Sequence, residues 1–262
     1  MSPRRRLLLA LVAAAVLVAA VVVVGRLVVT RGPAVAPDAR PAQDVLGPVL
    51  LVPGYGGAQA ALEPLAGRIR ATGRTATVVA LPGNGTGDLT AQVDALNRAV
   101  DRALAAGAPS VDVVGYSAGG VVAGLWIARD DGAAKARRVV TLGSPLRGTT
   151  LAGSAAAFAP DACPVACRQL APGSAEVREL ATAAVAQRLP WLSIWTTADQ
   201  TVTPPDSARL DGAVDVALQD ACGAGPVSHG QLPTSPVVTS LVLDAIGTAP
   251  LTAPPRGTCA NG

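Results

Sequence analysis

The chain has 262 residues, half of them hydrophobic but only 2 % aromatic, and a formal net charge of +3. That length suits one α/β domain with additions, its core built from Ala, Val and Leu. The basic residues are scattered rather than clustered, which excludes nucleic acid as the expected partner.

In chain order, Arg4, Arg5 and Arg6 precede an unbroken apolar run from Leu7 to Val24. At ~1.5 Å per residue a helix of that length spans most of a ~30 Å hydrocarbon layer. The flanking arginines predict a cytoplasmic N-terminus, with the chain beyond Arg26 exported. Residues 1–31 therefore read as a membrane anchor, or as a signal segment cleaved near Ala34-Val35-Ala36. In the second case the protein is secreted. Residues 32–47, rich in Pro, Ala, Asp and Gln, read as a spacer.

From residue 48 to 262 the pattern is that of one α/β domain. Val49-Leu50-Leu51-Val52 is a short apolar strand ending in Gly54-Tyr55-Gly56-Gly57. Ala58 to Thr72 reads as a helix and Thr77 to Leu81 as a strand. Leu89, Val93, Leu96, Val100 and Leu104 recur at helical spacing. Further strands are predicted at Val111–Val114, Arg138–Leu142, Trp191–Thr197 and Val214–Leu218, with helices at Gly119–Arg129 and Val237–Ile246. Buried strands alternating with helices imply a mainly parallel sheet with helices on both faces. Residues 149–188 break the rhythm and read as an inserted loop or cap, and 248–262 as a tail.

Four cysteines suit an oxidising compartment and allow three pairings. Cys163–Cys167 and Cys222–Cys259 are favoured, the first being close in sequence and the second tying down the tail. One histidine and a Cys-x-x-x-Cys do not make a zinc site of usual spacing.

Gly115-Tyr116-Ser117-Ala118-Gly119 comes directly after the strand Val111–Val114. A G-x-S-x-G between strand and helix reads as a nucleophile elbow, where small neighbours let the two elements approach and the serine hydroxyl is exposed. A serine nucleophile needs a base, an acid to hold that base, and donors for an oxyanion. His229 is the single histidine, and it lies after the elbow and before the last helix, where the base of such a fold is expected. Asp199, just beyond the strand Trp191–Thr197, is the preferred acid, with Asp220 the alternative. Asp206 and Asp211 read as solvated loop positions and Asp215 as part of a strand. The amides of Ala118 and Tyr55 are the expected oxyanion donors.

Taken together, Val49 to Gly57, the Gly-Tyr-Ser-Ala-Gly-Gly elbow, Thr141-Leu142-Gly143-Ser144-Pro145-Leu146-Arg147-Gly148-Thr149, Ser193 to Asp199, Ser207 to Ala213 and Ser228-His229-Gly230 resemble bacterial class 2 lipases over roughly residues 48–247. The resemblance implies an α/β-hydrolase fold with the acid on Asp199 and the base on His229. It also implies an acyl ester or lipid substrate. The chain departs from the family at Pro53 and Leu146, where histidine is common. Neither is a triad position, but Pro53 bears on the shape of the oxyanion loop.

The expected function is thus an exported serine ester hydrolase, a lipase or carboxylesterase, working through an acyl-enzyme with no metal or organic cofactor. An acyltransferase, thioesterase or peptidase of the same fold is the alternative, and a non-catalytic envelope scaffold a further one. Acyl-chain length and oligomeric state are not legible.

Overall fold

The structure, a computed structural model, describes Arg5, residues 40–223 and 225–255, and Gly257. The apolar run 7–24, residues 32–39 of the spacer and the Cys222–Cys259 pairing lie outside the described residues. Among those described, no helix is long and apolar enough to cross a membrane.

Six strands form one sheet: β1 Val49–Val52, β2 Ala76–Val78, β3 Val111–Tyr116, β4 Ala136–Leu142, β5 Trp191–Trp195 and β6 Val214–Ala217. Their order is β2-β1-β3-β4-β5-β6, and every pairing is parallel. Strands β1, β3 and β4 are buried along almost their whole length because both of their faces are covered, and apart from Asp112, Arg137, Arg138 and Thr141 their residues are apolar. On β1, Leu50 and Val52 enter one core while Val49 and Leu51 enter the other. This is the side-chain alternation of a strand between two layers.

The first core packs against helices α2 (Leu89–Ala105) and α3 (Ala118–Arg129), the second against α1 (Glu63–Arg70) and α6 (Pro236–Ala245). Helix α2 buries Leu89, Val93, Leu96 and Val100, and the Asp88 side chain caps it by accepting from the Thr90 amide at 2.8 Å. The Asp88 carboxyl is held below its ordinary range, chiefly by a hydrogen bond from the Gln169 side chain and then by that amide. By contrast α3, whose sequence is apolar all round, is buried from Ala118 to Ile127.

Several boundaries differ from expectation. The first predicted helix opens as a single 3-10 turn, Gln59–Ala61, before α1 begins at Glu63 with Pro64 in its first turn. Strand β2 stops at Val78 rather than Leu81, its last residue paired with β1 lying opposite Leu51. Strand β5 stops at Trp195, where Thr196 turns the chain: its hydroxyl takes the Ala198 amide at 3.2 Å and its carbonyl the Asp199 amide at 3.2 Å.

Residues 149–188 are a run of short helices, among them α4 (Thr150–Phe158) and α5 (Ala175–Thr182), with a disulfide joining Cys163 and Cys167. The second half of this run is core structure, since Leu180, Val185 and Ala186 belong to the first cluster. A Cβ on Gly124 of α3 would come within 2.6 Å of Leu180. Glycine there lets the two helices touch.

At the amino-terminal edge of the sheet, Asp112 of β3 is fully buried between guanidinium groups, 2.7 Å from Arg74 and 2.5 Å from Arg137. Carbonyl oxygens absorb much of the remaining positive charge. Arg137 donates to Gln43, Ile246 and Gly247, Arg138 to Ala245 and Ala249, and Arg74 to Gly47 and Ile246. Residues 43–47 of the expected spacer and the start of the tail are thereby fastened to the sheet.

Candidate active site

Tyr55, Ser117, Ala118 and Asp199 each lie within a few residues of the carboxyl end of a strand, the edge where open α/β sheets place their sites, and His229 lies in the segment between β6 and α6. Ser117 joins β3 to α3 with φ 53° and ψ −125°, a left-handed backbone that a side chain rarely adopts. Glycines make the turn possible. A Cβ on Gly115 would press into Gly120, and one on Gly119 would overlap the Val52 and Pro53 carbonyls. One on Gly54 would lie 2.9 Å from the Ser117 Cβ, so glycine lets the loop after β1 close on the serine.

Ser117 Oγ is 3.0 Å from His229 Nε2, and His229 Nδ1 is 2.7 Å from Asp199 Oδ2. The other carboxylate oxygen of Asp199 accepts the Thr201 and Val202 amides at 2.9 and 2.8 Å. With the acceptor-only carboxylate on Nδ1, that nitrogen carries the proton and Nε2 faces the serine hydroxyl as acceptor. All three side chains are nearly buried, but Ser117 and His229 keep 9 % of their surface exposed and Asp199 5 %.

The base is anchored locally. His229 opens a 3-10 helix, His229–Thr234, whose capping box pairs Ser228 with Gln231. Thr196 donates to the Val227 carbonyl at 2.7 Å, tying the base loop to the turn that carries the acid. A cleft of about 420 Å³ opens against His229, bordered by Gln200, Thr201, Ser228 and Gln231. The larger cavity, about 570 Å³, lies between α6 and residues 247–255 and includes none of the three residues.

Among the described residues, no acceptor takes the N–H of Tyr55 or of Ala118. Ala118 is the first residue of α3, whose leading amides have no partner within the helix and lie at the positive end of its dipole. The loop after β1 folds through a Gly57 N–H to Gly54 carbonyl bond of 3.0 Å, with Gly56 and Gly57 at positive φ.

The other aspartates are elsewhere. Asp220 is on a short helix at the end of β6, and Asp211 is exposed and paired with Arg147 at 2.8 Å. Asp206 is the second residue of a 3-10 turn, Pro205–Ala208. Asp215 is partly buried on β6, and burial raises its carboxyl above the ordinary range. Among the described residues, no group of three His, Cys, Asp or Glu side chains gathers as a metal site.

Two residues of the site are not apparent from the sequence. Gly143, directly after β4, has φ 51°, and a Cβ there would stand 3.2 Å from both Asp199 Oδ2 and His229 Nδ1. Its signals in the sequence are its place directly after a central strand and within the Gly-Ser-Pro stretch noted above. Tyr116 stands in the elbow motif only as a variable position, although its ring packs on the imidazole; nothing in the spacing shows that.

No protein-family model matches the chain, and no curated protein matches it. Its structure is similar to Aspergillus fumigatus lipase B, with a TM-score of 0.66 and 18 % identity over 82 % of this chain and 55 % of that one. It is also similar to the mature form of Bacillus licheniformis lipase BlEst2, with a TM-score of 0.64 and 17 % identity over 82 % and 96 %. A chain from a study of the metagenome-derived lipolytic enzymes LipS and LipT gives 0.59 and 19 % over 81 % and 98 %. At such identities the likeness is one of fold. The chain has the α/β-hydrolase fold.

Proposed function

We propose that the chain is a serine ester hydrolase of the lipase or carboxylesterase type, exported and working outside the cytoplasm. The observation that carries the proposal is the hydrogen-bonded series Ser117–His229–Asp199 at the carboxyl edge of the sheet, beside the amides of Ala118 and Tyr55. Ser117 Oγ attacks the ester carbonyl carbon while its proton passes to His229 Nε2, and the carbonyl π electrons move onto oxygen. The amides of Ala118 and Tyr55 receive that oxyanion. Collapse of the adduct expels the alkoxide, which takes the proton back from His229. Water then repeats the sequence on the acyl-serine. Asp199 holds the imidazole tautomer and stabilises its charged form, and no metal or organic cofactor enters any step.

Exposed apolar side chains on the loop after β1 and on α4 offer a surface for an acyl group, while the cleft at His229 itself is bordered mainly by polar residues. Tyr55, on the oxyanion loop, is 44 % exposed. The Thr150 amide at the start of α4 donates to the Thr203 carbonyl at 2.7 Å, beside the acid loop, and the helix carries Leu151 and Phe158, 55 % and 89 % exposed. An anchor or signal in residues 1–31 would deliver the hydrolase domain to the outer side of a membrane.

The test treats the purified full chain with a serine-directed phosphonate and with p-nitrophenyl esters of increasing chain length. Labelling that disappears in Ser117→Ala, with ester turnover, is the expected result. No labelling and no turnover of wild type would sink the proposal. Turnover of thioesters or peptides in place of esters would move the chain to another activity of the same fold.

A further inference from the structure

Tyr116 ends β3 and immediately precedes Ser117. Its ring centroid lies 5.2 Å from that of the His229 imidazole, with 32° between the planes. Its hydroxyl donates to the His229 carbonyl at 3.2 Å. On its other flank it meets the loop after β1: a Cβ on Gly54 would stand 3.4 Å from Tyr116 Cδ1 and 3.3 Å from its carbonyl oxygen. One residue thus touches the arm carrying the base and the loop carrying an oxyanion amide, and it is covalently joined to the serine.

We infer that Tyr116 is a positioning residue that seats the His229 imidazole against Ser117 and locks that seat to the oxyanion loop. The inference rests on the serine-hydrolase reading above.

The two nitrogen contacts of His229 fix the imidazole along the line from Asp199 to Ser117, but leave it free to rock about that line. A tilted ring packed against it opposes the rocking. The face of an aromatic ring also attracts cationic groups within about 6 Å of its centroid. The imidazolium formed as Ser117 loses its proton is such a group, so the contact strengthens along the reaction. Its effect belongs to kcat. The hydroxyl adds a second hold on the backbone of the same residue, beside the capping box that fixes the start of its 3-10 helix. Burial, with a smaller contribution from the Asp199 carboxylate, pushes the Tyr116 phenol up to about 12, so it remains a donor throughout neutral pH.

The experiment compares full-length wild type, Tyr116→Phe and Tyr116→Leu. kcat and KM on a p-nitrophenyl ester are expressed per serine titrated by the phosphonate, so misfolded protein is not counted. Losing one neutral hydrogen bond in Tyr116→Phe should lower kcat about threefold to tenfold with KM unchanged. Losing the ring in Tyr116→Leu should lower kcat about a hundredfold, the scale of a ~1 Å misplacement. Phe in place of Leu then restores most of the rate. Wild-type kcat per titrated serine in both variants, even with lowered melting temperatures, overturns the inference and leaves Tyr116 as packing. If Tyr116→Leu does not fold, Tyr116→Phe decides alone: a threefold or greater drop in kcat at constant KM upholds the inference, and a smaller change overturns it. A wild type that neither labels nor turns over refutes the hydrolase reading instead.

Discussion

Asp112 and Ser117 stand five residues apart, at opposite ends of β3, and the two ends use buried polar groups in opposite ways. At the amino end, Asp112 is enclosed by Arg74 and Arg137, with both guanidinium groups also spent on carbonyls of distant segments. At the carboxyl end, Asp199 is likewise held by several donors, yet its partner His229 passes the connection on to a hydroxyl that keeps some exposure. There the amides of Ala118 and Tyr55 have no acceptor among the described residues. A charge cluster whose contacts end on backbone carbonyls holds chain segments together. One that ends on a movable proton and open donors is, on the hydrolase reading proposed above, arranged for chemistry. Burial is common to both, so burial alone does not distinguish them; what each series of contacts ends on does.

The sharpest separation comes from removing the open end. Ser117→Ala or His229→Ala should lower ester kcat by up to ~10⁶, and Asp199→Asn by ~10⁴, with urea midpoints close to wild type. Steady-state hydrolysis beside equilibrium unfolding measures both quantities, and a large stability loss without a rate loss would erase the distinction. Next in size is the closed end. Asp112→Ala leaves buried guanidinium groups without their carboxylate and should cost about 3–5 kcal/mol in urea unfolding. Its kcat per phosphonate-titrated serine should stay at the wild-type value, and a fall there would show that the two ends communicate. The smallest effect is alkaline. The Tyr116 phenol keeps its proton to about 12 when folded, whereas an unfolded tyrosine releases it near ~10. The unfolded chain thus binds fewer protons between those values, and stability should fall as pH rises through that window. Urea midpoints from about pH 9 to 12 should show a shallower decline in Tyr116→Phe, and equal slopes would count against the burial of that phenol.

Much of the carboxyl end is legible in the sequence because its signals are local or without competitors. The elbow is a contiguous motif, and a chain with a single histidine offers one base. Asp199 requires only that β5 end before it, which Thr196 ensures by turning the chain. The amino end is not legible. Arg74, Asp112 and Arg137 are far apart in sequence and none stands in a motif, so only the parallel register of β3 and β4 and the packing of the α1–β2 turn bring them together. The same limit applies to residues 43–47. Their composition is that of a spacer, while their fixation depends on arginines far along the chain. Gly143 and Tyr116 fall between these cases: both lie within recognisable motifs, but their roles depend on what a side chain would meet across the sheet edge.

The arginine cluster has a practical consequence for handling the protein. Gln43 and Ala245 to Ala249 are gripped by the same two neighbouring side chains, Arg137 and Arg138. Residues 43 and 245–249 are therefore gathered together on the rim opposite the serine, while the chain beyond them runs on to Gly257, whose amide donates to the Ala221 carbonyl past the end of β6. A support surface attached at that rim would leave the mouth of the site unobstructed, whereas grafting onto the loops around Tyr55 or Thr203 would intrude on it.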